Sequence, residues 1–310
     1  MMCNIDNYKI ARIYGVKIFL FIISVSLFIG NAYPSELKKY GDGIVPYDND
    51  IIASFFKAVK ERNINEIKSL LSKNIDPNYK NGYGEVALLF PIIAGDVEIV
   101  RELLSFGADP NSKDTHGTPV LILAADEGYL DMVKLFLASG AHVNKKDNDG
   151  STALMEASEK NHIDIVKTLL AAGADPNAEN DNEVTALWMA SSNGLTEIAE
   201  LLLPLSSNIN IREKYNKSTP LINMARWGKT STVKALLDRG ADMNIQDEQG
   251  WTALMWAAKD NYAEIVRMLL DKGADLNIRN RFGNTALKLA KTEGNKEIVQ
   301  MLEQAGAKLP

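Results

Sequence analysis

The sequence predicts an all-α protein built as a stack of about eight helix-turn-helix units. Two periodic residues carry this prediction. A leucine that opens an apolar run returns every 33 residues, with one step of 34, at Leu88, Leu121, Leu154, Leu187, Leu221, Leu254 and Leu287. An asparagine that closes the unit returns in phase, at Asn78, Asn111, Asn144, Asn177, Asn210, Asn244 and Asn277. Such a period marks a repeat array, in which each unit buries its apolar face against its neighbours.

The first helix of a unit is best seen in residues 247–279. Thr252 precedes an apolar run, and its side-chain oxygen can accept a hydrogen bond from the free N–H groups of a first helical turn. Leu254, Ala257 and Ala258 then follow at helical spacing. This narrow stripe of small residues lets a second helix approach closely.

The second helix begins near Tyr262, and its apolar face recurs at helical spacing. Gly273 ends it, because glycine tolerates the left-handed conformation that commonly closes a helix. Polar, turn-forming residues at 275–283 then lead to the next unit. The apolar face consists of Ile265, Val266, Met268, Leu269 and Leu270.

Three short motifs recur in register. The opening D-x-x-G-x-T-A-L occurs at residues 147–154 and 247–254, and D/E-I-V occurs in the second helix at residues 164–166 and 264–266. The closing G-A-D-x-N occurs at residues 107–111, 173–177, 240–244 and 273–277. These units resemble ankyrin repeats from about residue 48 to the C-terminus. The resemblance implies antiparallel helix pairs, short hairpin-like loops that project sideways, and a concave face made of loop tips and first helices.

The repeats divide the chain after residue 47, and the first one lacks the T-A-L opening, as a capping repeat would. Polar residues on the helices of the last repeat, such as Lys288 and Gln300, give the other end a wetter surface. The predicted repeats lie at about 48–80, 81–113, 114–146, 147–179, 180–213, 214–246, 247–279 and 280–310.

Two repeats depart from the pattern. Val86 and Pro91 replace the usual threonine and alanine of the second repeat, so we expect its first helix to be bent or to begin differently. At the junction Pro204 to Lys217 the closing glycine is missing and one residue is inserted. This junction is a bend, a partner-contacting loop, or a tolerated insertion in an exposed loop.

The N-terminal segment is separate from the repeats. Lys9, Arg12 and Lys17 precede an apolar run at residues 18–29, and the small residues at 30–32 suit a cleavage site. We interpret residues 1–32 as a secretory signal peptide and residues 33–47, rich in glycine and proline, as a linker. The alternative is an uncleaved inner-membrane anchor at residues 13–31. The protein would then be periplasmic or secreted, or anchored in that membrane.

Composition excludes several classes of function. Hydrophobic residues make up 46% of the chain, which suits a packed array rather than a disordered segment. The net charge is −6, and it becomes −8 without residues 1–32, which hold three of the 34 basic and one of the 40 acidic residues. An acidic protein is a poor match for nucleic acid or for an anionic membrane surface. Cys3 is the only cysteine, so the cleaved protein would contain no disulfide.

No arrangement of residues indicates catalysis. His116, His142 and His162 stand at different positions of three repeats, and none has a histidine or cysteine at metal-ligand spacing. The sequence contains neither a phosphate-binding G-x-x-x-x-G-K-[ST] loop nor a G-x-S-x-G nucleophile turn. The aspartates that recur at the repeat ends are expected to satisfy nearby backbone groups. We therefore expect a non-enzymatic protein without a metal or cofactor.

We expect a partner to bind to the concave face that the resemblance implies. We expect Trp251 and Phe282 to be exposed beside turn residues, and Trp188 to pack between repeats. Aromatic residues at exposed positions suit interface hot spots. The loop-tip candidates are Tyr83, Thr115, His116, Asp149, Tyr215, Asn216, Gln249, Trp251, Arg281 and Phe282, with Trp188, Trp227 and Trp256 on or near first helices. The partner-binding set predicted from these is Tyr83, His116, Asp149, Tyr215, Trp251, Trp256, Arg281 and Phe282.

The units read T-A-L-M or T-A-L-W where the family often has T-P-L-H, with Met155, Trp188 and Met255 in place of the histidine. Together with the signal segment, this resembles bacterial exported ankyrin proteins. The resemblance implies a monomeric scaffold that binds a protein partner in the periplasm or outside the cell. Three alternatives stay open: an immunity or inhibitor protein against a secreted toxin or enzyme, an effector that binds a host protein, and an enzyme.

Overall fold

A computed structural model describes residues 49–309 of the protein. The predicted signal segment and linker lie outside these residues. The described part contains sixteen α-helices and a 3-10 turn at Leu203–Leu205. The helices are α1 Asn49–Lys60, α2 Ile64–Leu71, α3 Leu89–Ala94, α4 Val97–Ser105, α5 Val120–Asp126, α6 Leu130–Ala138, α7 Ala153–Glu159, α8 Ile163–Ala171, α9 Ala186–Ser192, α10 Thr196–Leu202, α11 Pro220–Arg226, α12 Thr230–Asp238, α13 Ala253–Lys259, α14 Ala263–Asp271, α15 Ala286–Glu293 and α16 Lys296–Gln304.

The helices form eight consecutive pairs, which confirms the all-α repeat architecture. Each first helix packs against the second helix of its own pair and against the first helices of its neighbours, as α13 does with α14, α11 and α15. Leu254, Ala257 and Ala258 of α13 are fully buried. Small side chains at this interface let neighbouring helices approach closely, and the core runs from pair to pair along the stack.

Threonine caps start five of the first helices. The hydroxyl oxygen of Thr252 accepts a hydrogen bond from the backbone N–H of Met255 at 3.3 Å, as the sequence predicts. Such a cap satisfies one of the backbone N–H groups that a first helical turn leaves free, and is worth about 1 kcal/mol. The other four threonines that cap in this way are Thr152, Thr185, Thr219 and Thr285.

Six of the eight described second helices are followed by a glycine of positive φ, and α14 shows how such a helix is built. Ile265, Val266 and Leu269 of α14 are buried, while the opposite side of the helix faces solvent. Gly273 follows with φ +86° and donates its N–H to Leu270 O at 2.9 Å. An L-residue rarely adopts this left-handed conformation, so glycine is the residue that ends the helix here, as predicted.

The periodic asparagine connects neighbouring repeats, and it forms two bonds to the next repeat in the clearest cases. The Asn144 side chain donates to Gly173 O at 3.2 Å and accepts from the backbone N–H of Asp175 at 2.8 Å, 31 residues further along the chain. The side chains of Asn78 and Asn111 form the same pair of bonds to the repeats that follow them. The residue is therefore periodic because it satisfies two backbone groups at the end of the next second helix.

The aspartates at the repeat ends act locally, which confirms the interpretation made from the sequence. Asp175 Oδ1 accepts a hydrogen bond from the backbone N–H of Asn177 at 2.9 Å. Asp109, Asp242 and Asp275 form the same bond two residues along the chain. Each aspartate therefore fixes the turn that presents the bridging asparagine.

The first helix of the second repeat begins later than its counterparts, as expected. Helix α3 begins at Leu89, after the opening Leu88, whereas α7 and α13 begin before their opening leucines. Pro91 lies in the first turn of α3, where its missing N–H has no intrahelical partner to lose. The result is a helix of only 6 residues.

The irregular junction keeps the asparagine bridge although its glycine is missing. The 3-10 turn at Leu203–Leu205 extends α10, and Asn177 donates its side-chain N–H to Leu205 O at 3.2 Å. Asn177 Oδ1 accepts from the backbone N–H of Ser207 at 2.8 Å. The tighter turn thus presents a carbonyl and an N–H group to Asn177, as the glycine-containing ending does in other repeats.

The inserted residue is accommodated in the loop that follows. Glu213 is buried, and its Oε2 accepts from the backbone N–H of Asn216 at 2.6 Å. Lys217 takes a positive φ of 56° and donates its N–H to Glu213 O at 2.9 Å. The loop is thereby closed by its own hydrogen bonds before α11 begins.

Candidate functional site

Each loop tip is fixed by the side chain that opens it. In the seventh repeat, Asp247 Oδ1 accepts from the backbone N–H groups of Gln249 at 2.9 Å and Trp251 at 2.8 Å. Gly250 also donates its N–H to Asp247 O at 2.9 Å. Asp147 and Asn280 hold the corresponding loops through the same pair of side-chain contacts. The exposed residues between these anchors therefore project from a defined turn.

Backbone hydrogen bonds connect successive loop tips. A carbonyl in each tip accepts an N–H from the next tip at 2.7–3.0 Å, from the fourth repeat to the eighth. The side chain of Asn148 extends the row backwards, because it donates to His116 O in the third repeat. The donor and acceptor pairs are Asp181 N to Asp149 O, Lys214 N to Asn182 O, Glu248 N to Asn216 O, and Arg281 N to Gln249 O. We call this connected row the loop-tip row.

Most of the predicted partner-binding residues are exposed. Tyr83, Tyr215 and Phe282 have 81%, 61% and 66% of their surface accessible. His116, Asp149 and Arg281 are also exposed. The loop-tip row brings together His116, Asp149, Tyr215, Arg281 and Phe282, whereas Tyr83 lies in the second repeat, before the row begins.

Trp251 is the exception, and the expectation that it is exposed was wrong. Only 8% of its surface is accessible, because its ring stacks on that of Trp256 with centroids 4.4 Å apart. A large aromatic ring gains more by covering its neighbour than by pointing into water. Trp251 therefore belongs to the core, and the prediction of exposure is confirmed for Phe282 alone.

Trp256 is half-buried on α13, and two cationic side chains lie over its ring. The guanidinium carbon of Arg226 lies 4.7 Å from the centroid of its ring, and Lys259 Nζ lies 5.9 Å from it. Arg226 ends the first helix of the preceding repeat. The aromatic ring attracts both cations through its quadrupole, so the three side chains are held as one group. We call Arg226, Trp251, Trp256 and Lys259 the indole–cation cluster.

The carboxyl group of Asp247 interacts with three members of this cluster, Trp251, Trp256 and Arg226. Burial raises the pKa of its carboxyl group above the ordinary value of 3.8. The backbone N–H groups of Trp251 and Gln249, the indole of Trp256 and the charge of Arg226 act in the opposite direction and lower the pKa. The Nε1–H of Trp256 interacts with the carboxylate without forming a hydrogen bond of normal geometry.

The two remaining tryptophans connect neighbouring repeats. Trp188 is half-buried and donates Nε1–H to Ser218 O in the next repeat at 3.0 Å, so the predicted packing between repeats is confirmed. Trp227 donates to Ser192 O in the preceding repeat at 2.9 Å, yet 51% of its surface stays accessible. Trp227 therefore offers an aromatic surface beside α11.

The histidines do not form a common site. His162 packs over Gly128 and bonds through Nε2 to Asp126 O at 3.0 Å, whereas exposed His116 lies beside Asp114. Among residues 49–309, no group of three or more His, Cys, Asp or Glu side chains could hold a metal ion. No helix in the same part of the chain is long and apolar enough to span a membrane.

Sequence reasoning missed Arg226 and Lys259. Both stand five residues after the opening leucine of their repeats, and Trp256 stands two after its own. These positions share one face of the first helix, which was the signal that could have found the cluster. What the sequence does not show is that Arg226 reaches across to the ring of the following repeat.

The family is shown by comparison with known proteins. A family model described as "Ankyrin repeats (3 copies)" matches residues 55–147, 92–180, 121–215, 154–247 and 221–309. The chain therefore belongs to the ankyrin-repeat family. Ankyrin repeats generally mediate protein–protein interaction, and proteins built from them are typically non-enzymatic scaffolds. No curated protein matches the chain.

Proposed function

We propose that this protein is a non-enzymatic scaffold that binds a protein partner through its loop tips and first helices, as a monomer in the periplasm or outside the cell. The loop-tip row carries the proposal. Its tips are hydrogen-bonded to each other, so Tyr215 and Phe282 are exposed on a backbone that does not have to be ordered on binding. A preorganised surface loses less entropy when a partner docks.

Export is supported by the pattern of residues 1–32 and by the lack of cysteine after Cys3. The net charge of −6 favours a protein partner over nucleic acid. The same surface would serve an immunity or inhibitor protein, or an effector that binds a host protein. These possibilities differ in the identity and place of the partner rather than in the surface used.

The test is affinity capture from periplasmic, membrane and culture-medium fractions of the source cell with the tagged full chain. Tyr215→Ala/Phe282→Ala is the binding variant, and Phe106→Ala, an exposed ring at the end of α4, is the control. We expect one partner to be captured by the native chain and the control but lost from the binding variant. Capture of the same proteins by all three would contradict the proposed surface. Recovery of the chain only from the cytoplasm would contradict export.

A further inference from the structure

The indole–cation cluster has an exposed cation, Arg226, whose charge acts on the partly buried carboxyl group of Asp247 without forming a salt bridge with it. Arg226 is exposed, and its guanidinium forms no salt bridge with any described residue. Lys259, by contrast, pairs with Asp260 Oδ1 at 2.8 Å. Its contact with the ring of Trp256 at 4.7 Å restricts the guanidinium, and the N–H groups that do not face the ring can donate to a ligand. Such a held, planar group is suited to bind a carboxylate through two parallel hydrogen bonds.

Two buried donors accompany it. Trp251 Nε1–H and the Asn223 side-chain N–H groups have no hydrogen-bond partner within residues 49–309, although only 8% and 7% of these residues are accessible. Asn223 and Trp256 stand at the same position of consecutive repeats, two residues after Leu221 and Leu254. A buried donor without a hydrogen-bond partner destabilises the folded protein.

The charge along the first helices points to the same ligand. The first helix of the third repeat, α5, ends in Asp126 and Glu127, whereas the first helix of the sixth repeat, α11, ends in Arg226. In a chain of net charge −6, the end of α11 is therefore locally basic. An acidic segment would be attracted to Arg226 and repelled by the end of α5.

We propose that the indole–cation cluster binds an acidic segment of the protein partner, with an aspartate or glutamate carboxylate held by Arg226. This inference rests on the proposed function and assigns the chemistry of one part of the partner. A single unpaired guanidinium matches one carboxylate, and a protein of this net charge repels a long polyanion such as nucleic acid. The partner segment is therefore acidic but short.

The direct test follows the indole N–H signals of the purified protein by NMR during titration. The chain has four tryptophans, and Trp251→Phe and Trp256→Phe variants assign the two signals of the cluster. The probe is a peptide of alternating Glu and Gly, the control peptide alternates Gln and Gly, and inorganic phosphate is the third ligand. We expect saturable shifts of the Trp251 and Trp256 signals with the Glu-Gly peptide, weakening as salt is added.

Matched variants identify the group responsible. Arg226→Gln should weaken binding of the Glu-Gly peptide about tenfold, because a charge-assisted hydrogen bond is lost. Arg226→Lys should weaken it less. Arg267→Gln changes an exposed arginine that lies 3.7 Å from Glu297 on the second helices and should leave binding unchanged. The inference is overturned by unsaturable shifts, equal binding of the Gln-Gly peptide, binding of phosphate as tight as that of the Glu-Gly peptide, or unchanged affinity in Arg226→Gln.

These outcomes are separable from failure of the scaffold itself. A partner that is captured through Tyr215 and Phe282 and retained by Arg226→Gln would overturn the acidic-segment inference and leave the proposed function standing. Saturable, Arg226-dependent binding of the Glu-Gly peptide without capture of a protein would support the cluster's chemistry and count against the scaffold.

Discussion

The rings of Trp251 and Trp256 stack at a centroid distance of 4.4 Å with 25° between their planes. Trp251 belongs to the loop tip and Trp256 to the first helix of the same repeat, so the stacked rings connect these two elements. The indole–cation cluster is built on this pair, because both Arg226 and Lys259 lie over the ring of Trp256. Residues that stabilise the seventh repeat are therefore in direct contact with Arg226, the cation that we propose binds the partner.

Trp251→Ala should destabilise the protein strongly, whereas Phe282→Ala should not. Removing a buried tryptophan costs about 3 kcal/mol or more, and an exposed ring such as Phe282 contributes about 0.5 kcal/mol or less. Urea unfolding followed by far-UV circular dichroism measures both, without relying on tryptophan fluorescence. Equal midpoints for the two variants would show that Trp251 is not part of the core.

The helical architecture was predictable because it depends on local periodicity. The leucine that recurs every 33 residues, the Thr252 cap and the glycine that ends α14 each do a job that the local sequence alone determines. The burial of Trp251 was not predictable in this way. It depends on whether a neighbouring side chain offers a flat apolar surface, and the turn residues around Trp251 favoured exposure.

The loop-tip row could not be predicted from the sequence, for a different reason. Its bonds join backbone groups, such as Arg281 N and Gln249 O, and any residue can supply these. The sequence could suggest which side chains occupy the tips. It could not show that Asp149 and Phe282 belong to one connected edge.

Asn144→Ala should loosen the contact between the third and fourth repeats. The side chain bonds to Gly173 O and to the N–H of Asp175, and loss of both bonds at an exposed site should cost about 1 kcal/mol. The neighbouring exposed Lys145→Ala is the control. The free energy of unfolding in urea gives the size, and faster hydrogen exchange at Asp175 locates the effect. Exchange at Asp175 that matches the control would argue against the bridge.

Asp247→Asn tests the raised pKa of this carboxyl group. Because the folded-state pKa lies above the unfolded value of about 3.8, the folded protein binds more protons between these two values, and stability falls as pH rises through that window. The cost of the charged carboxylate is fully present at pH above the folded pKa and absent well below 3.8.

Asparagine removes the charge but keeps Oδ1, which Asn280 uses for the same two bonds in the next repeat. The stability of Asp247→Asn relative to the native chain should therefore be more favourable at about pH 7 than at about pH 3. Urea titrations of both proteins at each pH give the difference, and other carboxylates cancel in the comparison. A difference of opposite sign would mean that Arg226 and Trp256 stabilise the ionised carboxylate more than burial disfavours it.

Gly250→Ala and Gly283→Ala separate backbone strain from crowding between repeats. Both glycines have a positive φ, +82° and +72°, so alanine should cost about 1 kcal/mol at either position. A Cβ at Gly250 would also lie 2.9 Å from the Cα of Asn280 in the next loop, whereas a Cβ at Gly283 would meet no described atom within 4 Å. Gly250→Ala should therefore lower the urea midpoint more than Gly283→Ala does.

Gly250→Ala should also increase hydrogen exchange at Arg281, whose N–H bonds to Gln249 O at 2.9 Å, because the loop of the eighth repeat has to move away. Equal losses of stability and unchanged exchange at Arg281 would mean that the two loops are not in contact, and that the loop-tip row ends at the seventh repeat.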